Sequence, residues 1–221
     1  MQTAAKTNPS PTALLSRRLT GGCVALAMLL ATGCESLTAN DRSGGLPYLV
    51  ANGHSVRSRH AVPLEVVLPQ GFQATPVDSR RDRFNGHPFD ISRAALIGAD
   101  AAVMVHAETV ADGSGASNYD ELPQARLDGR PFRVRPPSCQ DLSQDDIRGE
   151  SDLEWLAAQD FPPTGPLAVA QYLASSEDHN AEIVITLMAR VTDCSTEAMD
   201  AALTHLGSVI AIRAETDSRQ R

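Results

Sequence analysis

The sequence predicts an α+β domain, a mainly antiparallel sheet covered by a long C-terminal amphipathic helix. Three observations lead there. Short apolar runs with strand-like alternation recur through the middle of the chain, separated by polar, turn-forming stretches. Two of them, Pro166 to Ser175 and Ala181 to Thr192, are joined by Ser176-Glu177-Asp178-His179-Asn180 and read as a hairpin. After Cys194, Met199, Ala202, Leu203, Leu206, Val209, Ile210 and Arg213 recur at three and four, which predicts a capped helix of about 17 residues lying across the sheet.

At the N-terminus, residues 1 to 34 carry Lys6, Arg17 and Arg18 and no Asp or Glu, so the arm is purely cationic and is held on the cytoplasmic side. The apolar core Cys23 to Ala31 is about half the ~18 to 20 residues that a permanent transmembrane helix needs. It reads as a signal-peptide core. At its end, Ala31-Thr32-Gly33-Cys34 resembles the lipobox of bacterial lipoproteins, with Ala31 where Leu is usual. That resemblance implies that Cys34 is diacylated on sulfur with palmitate-type chains, becomes the first residue and is then N-acylated. Two or more acyl chains make membrane attachment effectively permanent. Glu35 follows, not the Asp that marks inner-membrane retention in enterobacterial lipoproteins, so the implied destination is the outer membrane, facing the periplasm. Arg17-Arg18 raises a twin-arginine route, but Leu19-Thr20 fits that signal poorly, and ordinary export is expected.

The organisation expected from these readings is a signal peptide over 1–33, an acylated cysteine and flexible linker over 34–61, a single periplasmic domain over 62–214 and a disordered tail over 215–221. Loss of the three signal cations takes the chain from its total of −8 to −11. Every remaining base is Arg. An acidic, lysine-free mature chain argues against nucleic acid or anionic lipid as a partner. Cys139 and Cys194 are the two cysteines left after cleavage and acylation, and in an oxidising compartment they are most simply a disulfide. Neither has a Cys or His at ligand spacing, which weighs against a metal pair.

Within the domain, Val62 to Pro69 alternates and reads as a strand near an edge. Gly71 to His87, with Arg80, Arg81, Arg83 and Asn85-Gly86, reads as a long exposed loop. Asp90 to Gly98 has an N-cap candidate and a terminal glycine and reads as a short helix. Ala101 to Val110 is a mostly buried strand with His106 and Glu108 on one face, where they are expected to reach solvent near the strand end. Pro131 to Pro137 is an edge strand. The acids from Asp141 to Glu154 begin like a calcium loop, but Asp146 replaces the required glycine; Ser151 and Glu154 fit a capping box for a helix over Asp152 to Gln159. His54 and His60, flanked by Arg57 and Arg59, lack a third ligand.

In element order alone, strand, helix, strand, strand, helix, hairpin, helix, the chain resembles the PsbP-type fold of some bacterial lipoproteins and photosynthetic lumenal proteins. No phosphate loop, nucleophile elbow or cofactor motif is present in the sequence. The function expected is therefore a lipid-anchored envelope protein with a non-catalytic binding or scaffolding domain for another envelope component. Two alternatives stand beside it: a small-ligand or metal sensor, and a periplasmic enzyme, for which His106, Glu108 or His87 would have to converge on one cleft.

Overall fold

The computed structural model describes residues 47–214; the signal segment, Cys34 and the C-terminal tail lie outside the described residues. Twelve strands and three helices form among the described residues. β1 (Leu49–Asn52), β2 (Ser55–Ser58), β3 (Glu65–Val67) and β12 (Ala211–Arg213) make a small antiparallel sheet in the order β1-β2-β3-β12. The larger sheet contains β4 (Gln73–Ala74), β6 (His87–Ile97), β7 (Ala101–Val110), β11 (Ala181–Arg190), β10 (Gly165–Ser175), β9 (Arg130–Leu142) and β8 (Gln124–Leu127), in that order, with β5 (Asp78–Phe84) also paired to β6. It curls into a half-barrel.

The expected α+β class is corrected by these proportions: 49% of the described residues are in strands and 15% are helical. No long C-terminal helix covers the sheet. Helix α3 (Thr196–Val209) is 14 residues, capped by the Ser195 side chain, and packs mainly on β10 and β11. Its expected last turn is instead β12, because Ile212 is worth more as a strand residue, buried against Val66 of β3, than as part of an exposed helix end.

Three further expectations change for related reasons. The reading of 34–61 as linker gives way, over its last part, to the β1–β2 hairpin, in which Leu49 and Val56 are buried. The Gly71 to His87 loop contains β5, which turns through Asn85 (φ 51°) and Gly86 (φ 89°) into β6. Two consecutive positive φ values are what a tight hairpin turn demands, and Asn-Gly supplies them at little cost. The helix over Asp90 to Gly98 is in fact β6: pairing with β5 on one side and β7 on the other outweighs the helical preference of its Ala94-Ala95-Leu96.

The capping box is also relocated. It belongs to α1 (Gln144–Ile147), where Ser143 and Asp146 bond reciprocally, while α2 (Ser151–Ala157) has no side-chain cap. Strand β9 runs past its prolines to Leu142. Beyond Arg133 it pairs with β10 alone, and the register slips where Pro136 and Pro137 stand opposite the single residue Ala170, as residues without an N–H require.

The main core lies between one face of the large sheet and the small sheet with α3. Val103, Val105, Ile183, Ile185 and Leu187 point into it from the large sheet, and Leu49, Val56, Leu64, Val66, Leu203 and Leu206 close it. The opposite face divides in two. Near one end, Ala102, Met104, Leu167 and Met188 are covered by Leu156 of α2 and by Phe161. Toward the other end, the same face is mixed, with polar side chains beside a small buried cluster of Phe89, Ile91 and Val110. Cys139 of β9 and Cys194, next to the α3 cap, form a disulfide with Cα atoms 5.4 Å apart.

Candidate functional site

The polar half of this second face is a cleft of about 660 Å³. Strand alternation explains what lines it. From β7 come His106 and Glu108, from β11 Glu182 and Thr186, from β10 Gln171 and from β9 Arg135, each two residues from its apolar neighbour on the same face. Register then decides which of them meet. Glu182 stands directly opposite Glu108, and Arg93 of β6 directly opposite His106.

His106 and Glu108 therefore do not reach solvent as expected. They are 8% and 6% exposed, and His106 Nδ1 lies 3.1 Å from Glu108 Oε1. On the other side of the ring, His106 Nε2 is 3.7 Å from Asp152 Oδ2, so carboxylates flank both nitrogens. Asp152 is brought in by α2, which Arg93 holds against the sheet: Nη1 donates to Asp152 Oδ1 (2.7 Å) and to the Ser151 carbonyl (3.1 Å), and Nε donates to Asp78 Oδ2 (3.0 Å). Burial works against ionisation of Asp152, but His106, Arg80 and Arg93 outweigh it and hold its carboxyl below the usual range.

Glu182 is the least exposed acid in the cleft, at 3%, and its Oε2 has no hydrogen-bond partner. Like charges directly across a ladder repel. Burial first, and then the nearby Glu108 carboxylate, raise the Glu182 carboxyl from 4.5 to about 7. Near neutrality the Glu182 carboxyl therefore still holds its proton much of the time. Tyr119 faces this pair, and burial followed by the charge of Glu182 pushes its phenol well up, so it remains a neutral donor. The loop carrying Tyr119 is fixed to the β10–β11 turn: Ser117 N–H donates to His179 O, Gly115 N–H to Asn180 Oδ1 and Ser175 Oγ to Ser117 O.

Ionisation of Glu182 should weaken the fold. Between pH 4.5 and about 7 the native state keeps a proton that the unfolded chain has released, so stability falls as pH rises through that window. At ~1.4 kcal/mol per pH unit the full effect is at most about 3 kcal/mol. Thermal melts of Glu182→Gln and the parent chain should therefore diverge from pH 5 to about 7 and run parallel above that, with the variant gaining. Curves parallel throughout would show that Glu182 ionises normally.

His87 also lines the cleft, so His87, His106 and Glu108 do converge on it. His87 is not part of a catalytic triad, though. Asp112 Oδ2 (3.1 Å) and Ser114 Oγ (2.9 Å) both contact the same nitrogen, Nδ1, whereas nucleophile activation requires the serine and the carboxylate on opposite nitrogens. His60 contacts only the backbone of this region, with Nε2 2.9 Å from the Glu108 carbonyl, and burial lowers its pKa. Among the described residues no group of three or more His, Cys, Asp or Glu side chains is arranged to hold a metal ion.

Sequence reasoning found His106 and Glu108 but not Glu182, Tyr119, Asp152, Arg93 or Arg135. One signal was present: Glu182 is a lone charge at the head of the apolar run Ile183 to Ala189. The others depend on which strands pair. Compared with known proteins, the chain matches no family model, no curated protein and no solved structure.

Proposed function

We propose that the chain is a lipid-anchored lipoprotein of the cell envelope, held by Cys34 in the outer membrane and facing the periplasm, whose domain binds a small polar ligand in the half-barrel cleft. The observation that carries the ligand reading is Glu182, a 3% exposed carboxyl on the wall of an open cleft with one oxygen unpartnered. A buried acceptor without a donor costs about 1 to 3 kcal/mol, which a ligand donor recovers on binding. The volume suits a small molecule. Support for the anchor comes from the cationic arm, the short apolar core and the lipobox-like Ala31 to Cys34.

Binding is favoured over catalysis by the state of His106. A general base needs a nitrogen directed at substrate; Nδ1 is taken by Glu108 at 3.1 Å, and Nε2 is buried without a hydrogen-bond partner, 3.7 Å from Asp152, so it is not presented to the open cleft. Protein purified from membranes should begin at an acylated Cys34 by intact mass; a soluble species with another N-terminus would overturn the anchor. In thermal-shift screening against amino acids, polyamines, organic acids and sugars, at least one class should raise the melting temperature of the parent chain and fail to do so for Glu182→Gln. Ligand at a hundred times Kd stabilises by about 2.7 kcal/mol, several degrees for a domain of this size. No shift with any class would reject the cleft as a ligand site.

A further inference from the structure

The charges of the cleft do not all cancel, and the remainder has a pattern. Asp152 is answered by Arg93 at 2.7 Å and Arg80 at 3.2 Å. Arg83 donates to the Gly86 carbonyl at the turn beside it. What is left is one acidic end, Glu108 with Glu182, and two cations without a carboxylate: Arg83, whose Nη2 is committed to that neutral carbonyl, and Arg135, which has no such bond and makes the basic end. Arg135 is exposed, lines the same cleft and has no carboxylate within 4 Å among the described residues. Tyr119 lines the same cleft.

Building on the ligand reading above, we infer that the cleft takes a small zwitterion, an amino-carboxylate whose ammonium group sits at Glu108 and Glu182 and whose carboxylate sits at Arg135. The spacing favours a chain of several bonds between the two charges. Arg135 pairs with Gln171, which pairs with Thr186, and Glu182 is four residues along β11 from Thr186. Two strand spacings of ~4.8 Å and four residues of ~3.4 Å place the two backbones roughly 17 Å apart, a span that the two side chains shorten to the length of an aliphatic amino acid. Phe89, Leu173 and Val184 supply an apolar wall for the methylenes in between. The ammonium donates to the free Glu182 Oε2, the Glu182 proton passing to solvent; the guanidinium of Arg135 receives the carboxylate in a two-pronged contact.

Isothermal titration of the acylated protein in detergent provides the test. The probes are glycine, β-alanine, γ-aminobutyrate, 5-aminovalerate and 6-aminohexanoate, with butylamine and butyrate as controls lacking one charge. One length should bind about tenfold or more tighter than either control, the effect of a single charge-assisted hydrogen bond. Arg135→Gln should reduce the zwitterion to the affinity of butylamine without changing butylamine itself. Glu182→Gln should reduce it to that of butyrate, with circular dichroism confirming that both variants fold. Butylamine binding as tightly as the best amino acid, or no binding by any member of the series, would overturn the inference. If the series fails while another class in the thermal screen depends on Glu182, the zwitterion is wrong and the ligand cleft stands; if both fail, so does the cleft.

Discussion

Removing the disulfide, by Cys139→Ser with Cys194→Ser or by mild reduction, is expected to lower the melting temperature by roughly 10 °C. The bond joins residues 55 apart in sequence. A cross-link closing such a loop restricts the unfolded chain by about 4 kcal/mol in the chain-entropy description, and a domain of this length loses about 2 to 4 °C per kcal/mol. Position adds to length. Cys139 lies on the part of β9 that pairs with β10 alone, just past the Pro136-Pro137 slip, and Cys194 adjoins the Ser195 cap of α3. Without the bond, an edge strand with an irregular register and a helix that packs mainly on β10 and β11 lose their shared tie. Hydrogen exchange should accordingly accelerate first in residues 138–142 and 196–202. Cys194 is exposed, so a reductant reaches it without global unfolding. A melting temperature unmoved by full reduction would show that the loop is already ordered in the unfolded chain.

The sequence made this tie legible because elimination was enough: on the expectation that Cys34 is acylated and the domain exported, two cysteines remained to pair. The β10–β11 hairpin was legible for a similar reason, since a five-residue polar break between two long apolar runs admits few other readings. The fold class was not. Ala94-Ala95-Leu96 favours a helix locally, and only the flanking strands β5 and β7 make it a strand. The clue that could have corrected it was Asn85-Gly86, a hairpin turn flanked by residues with no apolar alternation to mark them: Asp78 to Phe84 is Arg-rich and mostly exposed because β5 is an outer strand. The same pattern explains the site. Glu108 was visible as a charge on a strand face, but its partner Glu182 is 74 residues away, and only the register of β7 against β11 places the two opposite each other. Pairwise electrostatics of that kind is set by topology, which periodicity alone does not encode.

Arg93→Met is expected to cost about 3 kcal/mol, a drop of roughly 10 °C, and to loosen α2 before anything else. Arg93 is 7% exposed yet fully engaged. It bonds to Asp78 and Asp152 and to the Ser151 carbonyl in the first turn of α2, and lies 4.8 Å over the ring of Trp155. Methionine keeps much of the volume but leaves Asp78 without this donor and Asp152 with Arg80 alone among the arginines, and breaking one side of a buried pair is worth about 3 to 5 kcal/mol. The lower end applies because Asp78 and Asp152 remain partly exposed, at 43% and 33% of their side chains. Arg93→Lys should recover less than half of the loss, since one ammonium cannot span two carboxylates and also stack on an indole. Exchange protection should fall in 151–161 while β7 and β11 keep theirs, because Leu156 and Phe161 cover only the far end of that face. Full recovery by lysine would reduce Arg93 to a point charge. The consequence for the cleft follows from Asp152: once α2 is loose, His106 loses the carboxylate 3.7 Å from its Nε2, and that nitrogen becomes free to face the cleft.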